Sequence, residues 1–255
     1  MRLQVISAQK PSNIIESWRH DTRMIHSTNA SEASKFKTSN YDKFKNINPD
    51  RAPGTCMWVL QHPQYTKWQE SSQDDVLWIS ADPGYGKSVL ARSLIDNELQ
   101  HTETHVVCHF FFKDNEEQDT VSRALCALLH QLFAKRPELL RHAITKWKSN
   151  KDRLQNEEDE LWEILVAAAV DPLAPHITCV LDALDECREV ERTRLIQRFT
   201  GFYDRSFQIT QRTSRLKFLL TSRPYDDIER GFGAIPTHLP TMRLSGGGLK
   251  QRNQH

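Results

Sequence analysis

Lys87 and Ser88 close the octet Ala81, Asp82, Pro83, Gly84, Tyr85, Gly86, Lys87 and Ser88, whose residue types suit the gripping of a phosphate chain. The pattern is a small residue, four free positions and then Gly-Lys-Ser, with Ala81 where glycine is more usual. Gly84 and Gly86 permit positive φ angles and let backbone N–H groups come close to phosphate oxygens. Lys87 offers a charge for the β- and γ-phosphates and Ser88 a hydroxyl for Mg²⁺. A helix starting near Ser88, with Val89 in its first turn, adds the positive end of its dipole. A turn rich in glycine and proline that binds nothing is the competing reading. Against it stands the context, an apolar strand-length run over 76–80 before the loop and a helical pattern after it. The expected ligand is a nucleoside triphosphate, ATP or GTP, with Mg²⁺ as cofactor; the choice of base is not readable.

A second constellation lies far along the chain. The run Ile177, Thr178, Cys179, Val180, Leu181 reads as a buried strand, and Asp182 falls where it ends. Carboxyl ends of parallel strands face the ligand crevice, so a strand beside the phosphate-loop strand would bring Asp182 to the metal. Asp185 and Glu186, just beyond, are placed to accept a proton from an attacking water. Three carboxylates so close repel one another unless a cation or donors lie among them, which argues against a mere surface turn. The last long apolar run, 216–222, ends in Arg223 and Pro224. Proline cannot continue a central strand, so Arg223 reaches the same rim and can fork onto a γ-phosphate. An ion pair with Asp182 or Asp185 is the alternative use of Arg223.

The elements that must hold these residues read as an α/β domain. Residues 1–40 are polar and weakly organised, with a short helix at most over 13–19 and a linker over 26–40. A helical lead-in over 41–70 is broken at Pro63, and the core follows over 71–244. Within it, helices are expected over 88–100, 120–133, from 137 to 147, and after the acidic run 157–160; strands over 105–112 and, short, around 238–244. Residues 245–255 read as a flexible tail.

Composition narrows the partners. With 34 basic against 33 acidic residues among 255, no overall field draws the chain to DNA, RNA or anionic lipid, and neither nucleic acid nor membrane is expected as a partner. Five scattered cysteines read as reduced thiols, and without a signal peptide the expected compartment is the cytoplasm. His101, His105, Cys108 and His109 are the nearest approach to a metal cluster, but Cys108 falls on the opposite strand face from His105 and His109.

Taken together, the lead-in TCMWVLQHPQYTKW, the loop ADPGYGKS, FFFKDNEEQD, ALCALLHQLF, CVLDALDEC and LLTSRP resemble the NACHT-type nucleotide-binding domain of fungal signal-transducing NTPases, a group that also looks like the nephrocystin-type N-terminal domain. The resemblance covers about 41–244. It implies a P-loop NTPase three-layer sandwich with a mostly parallel central sheet, of the additional-strand catalytic-glutamate class. It implies Asp182 on Mg²⁺, Asp185 or Glu186 as the water-activating acid, and Arg223 as a sensor of the γ-phosphate. Such domains switch on nucleotide exchange and self-associate, often in heterokaryon incompatibility. Members continue into a winged-helix region, a lid and repeats, none of which is read here, so the chain looks truncated. Two other functions compete: a nucleotide-binding interaction module without hydrolysis, and a small-molecule kinase. The kinase is disfavoured by the Asp185-Glu186 pair and the want of an arginine-rich lid.

Overall fold

The computed structural model describes residues 31–71, 75–208, 216–233 and 240–244. Strands β1 (Asp75–Ala81), β2 (His105–Phe111), β3 (His176–Asp182), β4 (Leu216–Ser222) and β5 (Thr241–Leu244) form one parallel sheet in the order β2-β3-β4-β1-β5. Their near-continuous apolar runs follow from burial on both faces. Alternation sorts the side chains: Val76, Trp78, Cys108, Phe110, Phe218 and Leu220 join one core, Leu77, Ile79, Val107, Phe111 and Leu219 the other.

Helices α1 (Tyr41–Asn46), α2 (Met57–Leu60), α3 (Pro63–Glu70) and α4 (Lys87–Ser93) come first. They are followed by α5 (Val121–Lys135), α6 (Arg141–Asn150), α7 (Glu158–Ala169), α8 (Glu189–Gln208) and α9 (Asp226–Gly233). Residues of α3 and α4 fill one core, and those of α5, α7, α8 and α9 fill the other, giving three layers. Pro63 stands at the first position of α3, where a missing N–H costs nothing. The helix expected over 88–100 ends at Ser93, and the chain continues as a wider turn through Leu94–Glu98. The one expected from 137 splits into a tight turn, Pro137–Leu140, and α6.

Three expectations change. First, β3 does not lie beside β1: β4 is inserted between them, so Asp182 and the phosphate loop face each other across Thr221 and Ser222. Apolar runs carry no information about which neighbour they pair with, and this order is that of the additional-strand class. Second, residues 31–40 are not a bare linker. A helical turn over 31–34 leads to Phe36, which is fully buried with its ring 5.5 Å from Phe133 and 5.7 Å from Trp147. One buried aromatic, worth about 2 kcal/mol, anchors an otherwise polar stretch. Third, α8 was not foreseen: its buried stripe of Leu195, Ile196, Phe199 and Phe202 has helical spacing, diluted by charged neighbours. The segment 13–19 and the tail 245–255 lie outside the described residues. Among the described residues no helix is long and apolar enough to cross a membrane, and no histidine, cysteine and carboxylate group is clustered for a metal.

Candidate functional site

From Ala81 at the end of β1 the chain turns through Asp82 and Pro83 into two left-handed residues, Gly84 at φ 82° and Gly86 at φ 72°. A Cβ on either would meet nothing within 4 Å, so the backbone angle, and not crowding within the protein, demands glycine here. Lys87 opens α4 and its Nζ donates to Ala81 O at 2.6 Å and Asp82 O at 3.1 Å. Burial holds the Lys87 pKa below the ordinary lysine value, with Asp185 and Asp182 pulling the other way. Ser88 and Val89 follow in the first turn; Tyr85 is half-buried.

Asp182, the last residue of β3, is wholly buried. Thr221 of β4 donates its hydroxyl to Asp182 Oδ1 at 2.6 Å and accepts the Ala183 N–H at 3.0 Å. Oδ2 is buried without a hydrogen-bond partner. Burial pushes the Asp182 carboxyl above the usual range, while the hydroxyls of Ser88 and Thr221 and the charge of Lys113 oppose it. Ser88 therefore faces this carboxylate, yet does not complete a well-formed bond to Oδ2. A buried, unsatisfied carboxylate oxygen beside a serine hydroxyl is a donor set that suits a hard divalent cation, so the residues fit Mg²⁺. Ala183 takes a left-handed turn at φ 56°, which swings the chain off the strand into a short helical turn, Leu184–Glu186.

The two acids of that turn are used differently. Asp185 accepts the Arg223 backbone N–H at 2.9 Å on Oδ1, and its Oδ2 pairs with Arg223 Nε at 3.2 Å. Arg223 also donates Nη1 to the Tyr225 hydroxyl at 3.0 Å, and this bond is the main reason its pKa is raised. Asp185 is thus a brace for Arg223, and of the two acids only Glu186 has a carboxylate oxygen left over. Glu186 Oε2 takes the Asp114 N–H at 3.3 Å and lies 3.8 Å from Lys113 Nζ.

Pro83, Gly84, Gly86, Lys87, Ser88, Val89, Asp185, Glu186 and Arg223, all singled out from the sequence, line one cavity of about 190 Å³. Asp182 and Thr221 are buried beside Ala183, which lines the cavity, and do not line it themselves; Ala81 and Asp82 contribute carbonyls to Lys87, and Tyr85 lies off the lining. A neighbouring cavity of about 470 Å³ shares Asp185, Glu186 and Arg223 and adds Asp114 and Tyr225. Thr221, Lys113, Asp114 and Tyr225 were missed as site residues. Thr221 carried a weak signal, a hydroxyl inside an otherwise apolar strand.

The family described as Nephrocystin 3, N-terminal, matches residues 54–223. Vegetative incompatibility protein HET-E-1 of Podospora anserina is 26% identical over 193 residues, which is 74% of this chain and 13% of that protein. The chain therefore spans a small fraction of that relative's length. Among solved structures, the ORC2 protein of Aeropyrum pernix, in ADPNP–ADP complexes, is 12% identical with a TM-score of 0.42. The alignment covers 77% of this chain and 49% of that one, a likeness too loose to add to the strand order already seen.

Proposed function

The chain belongs to the Nephrocystin 3, N-terminal family, and on that premise we propose that it is a Mg²⁺-dependent domain that binds ATP or GTP, hydrolyses it slowly and serves as a signalling switch of the NACHT type. The observation that carries this reading is the buried Asp182 oxygen with no partner, set beside Ser88 and within the field of Lys87. A bound Mg²⁺ would be held by Ser88 and Asp182 and would neutralise charge on the β- and γ-phosphates. Lys87 turns from its two carbonyls to the phosphates, and the loop amides released by the positive-φ glycines surround them. Glu186 takes the proton of the attacking water into the solvent-facing cavity. Arg223, held by Asp185 and Tyr225, is the group that changes partner when a γ-phosphate arrives. Self-association on nucleotide exchange is part of the same proposal, on the strength of the family relationship and of the incompatibility relative.

The test is release of phosphate from ATP and from GTP with Mg²⁺, by wild type, Lys87→Ala and Glu186→Gln. Slow turnover lost in both variants supports the reading; turnover unchanged by either sinks it. A second reading, binding without hydrolysis, is favoured by the guanidinium of Arg223 being spent on Asp185 and Tyr225. In that case Mg²⁺-nucleotide raises the Tm while no phosphate is released, since a ligand at 100 times its Kd adds about 2.7 kcal/mol of stability. Steady turnover above the Lys87→Ala control rejects it.

A further inference from the structure

The connection after β2 lies against the acidic turn after β3 and is stitched to it. Phe112 N–H donates to Asp182 O at 2.9 Å, one residue past the end of the ladder, so Lys113 and Asp114 come to rest opposite Leu184–Glu186. Arg188 N–H donates to Asp119 O at 3.0 Å and Arg188 Nε to the Asp119 carboxylate at 2.8 Å, tying the far ends of the two segments together. Within the first segment Lys113 N–H donates to Gln118 O at 3.1 Å and its carbonyl accepts from Asn115 at 2.7 Å. The backbone of Lys113 is therefore held at both its N–H and its carbonyl, next to the bonded Phe112, and its ammonium lies 3.8 Å from Glu186 Oε2.

We propose that Lys113 is a positioning residue for Glu186: with the Asp114 N–H it immobilises Oε2, so that Oε1 is turned to the cavity to receive a proton from water. The assignment rests on the reading of Glu186 as the water-activating acid. Three observations carry it. Oε2 has two partners on the β2 side, whereas Glu186 Oε1 has none among the described residues. Glu186 lines both the phosphate-loop cavity and its larger neighbour, so its carboxylate stands between the two. Asp185, by contrast, has both oxygens committed to Arg223. The charge of Lys113 is also felt at Asp182, so one lysine offsets two of the three carboxylates that the chain crowds together. An ordinary surface ion pair is the bland alternative, and at about a quarter exposure for each partner it would add little to stability and nothing to turnover.

The two are separated by Lys113→Met and Lys113→Arg. Lys113→Met is expected to lower kcat roughly tenfold, a fraction of what a general base contributes, with KM and the Mg²⁺-nucleotide Tm shift unchanged; Lys113→Arg restores most of the loss. Because the lysine acts through the glutamate, Lys113→Met added to Glu186→Gln should cost nothing more. A readout independent of turnover is the rate at which an amine-acetylating reagent modifies Lys113 in the nucleotide-free protein, which should rise about threefold in Glu186→Gln as the ion-pair contact that holds the side chain is lost. Unchanged labelling, or a kcat within twofold of wild type in Lys113→Met while Glu186→Gln is inactive, overturns this inference alone. A wild type that hydrolyses no faster than Lys87→Ala overturns the preceding reading and this one together.

Discussion

At the carboxyl rim of the sheet Asp182 ends β3 and Lys87 opens α4; at the amino rim Lys217 and Asp75 sit opposite each other in the register of β4 and β1. Both rims have a cavity, about 190 Å³ at the first and about 260 Å³ at the second, where Lys217 is joined by Trp68, Glu98, His105 and His176. The carboxyl rim also holds the adjoining cavity of about 470 Å³, but volume says nothing of the chemistry either rim could serve. At the amino rim the charges are answered from within: Lys217 Nζ donates to Trp68 O at 2.8 Å and Gln69 O at 2.9 Å, and Asp75 Oδ1 takes the Val76 N–H at 2.8 Å. His105 is likewise occupied by Thr178 and Gln100. Among the described residues the orphans near this rim are neutral, the indole N–H of Trp68 and the hydroxyl of Tyr65. At the carboxyl rim the orphans include a fully buried carboxylate oxygen of Asp182, and among the described residues the hydrogen bonds of Lys87 Nζ go to carbonyls of the loop it would serve. Unmet bonding capacity of a charged group, rather than empty volume, separates a binding rim from a structural one.

The hardest blow to that comparison would come from exchanging the lysines. Lys87→Ala is expected to weaken Mg²⁺-triphosphate binding by about 100-fold, near 2.7 kcal/mol, while leaving the Tm of the nucleotide-free protein close to wild type. Asp182→Asn should abolish the Mg²⁺ dependence of the remaining affinity. Titration of a fluorescent triphosphate with and without Mg²⁺ reads both. If Lys87→Ala instead unfolds the domain and binds nucleotide normally when folded, the two rims have been assigned the wrong way round.

Lys217→Met should do the reverse, with a smaller effect. It strands two carbonyls at the end of α3 and removes the cation beside Asp75, a loss of about 2 kcal/mol. For a domain of this size that is a Tm lower by roughly 6 °C, with the nucleotide-induced Tm shift preserved. A Lys217→Met protein whose nucleotide affinity falls with its stability would mean that the two rims are coupled through β4 and are not independent sites.

The carboxyl rim was far more legible in the sequence than the amino rim, for a physical reason. Gly84, Gly86, Lys87 and Ser88 act through backbone angles and adjacent side chains, so their chemistry is written contiguously. Asp182 and Arg223 announced themselves as charges at the ends of apolar runs, where a strand must stop. That β4 separates β3 from β1 followed from the family resemblance and not from the apolar runs; what could not be read at all depended on contacts across the chain, that Thr221 bonds Asp182 and that Lys113 stands over Glu186. The roles of Asp185 and Arg223 divided the same way. Their meeting at one rim followed from strand ends, and the ion pair of Arg223 with Asp185 is the alternative use the sequence offered, but that the Arg223 backbone N–H joins it follows only from the left-handed turn at Ala183. Lys217 and Asp75 gave no signal because a charge near the start of an apolar strand reads as a solvated flank, and here it is buried.

The finest test of the comparison is Asp75 itself. Burial pushes its carboxyl up to about 6, against the pull of the Val76 N–H and the Lys217 ammonium. A carboxyl whose folded pKa lies above its unfolded value binds its proton more tightly in the native state. Its ionisation therefore costs stability as pH rises from about 4 through 6, and the full cost is present above 7. Asp75→Asn keeps the oxygen that accepts from Val76 and removes the charge, so it should raise the Tm at pH 8 by several degrees, equivalent to about 2 kcal/mol. At pH 4, where the wild-type carboxyl is protonated in the folded protein, the gain should shrink to almost nothing. Thermal melts of both proteins across that range read the effect, and the Mg²⁺-nucleotide Tm shift should be the same in each. Asp182→Asn must behave otherwise: any gain in the nucleotide-free protein is cancelled once Mg²⁺-nucleotide is added, because there the buried charge has a partner to meet. Were Asp75→Asn also to lose its advantage on adding Mg²⁺-nucleotide, the amino rim would have to be counted as a second cation site.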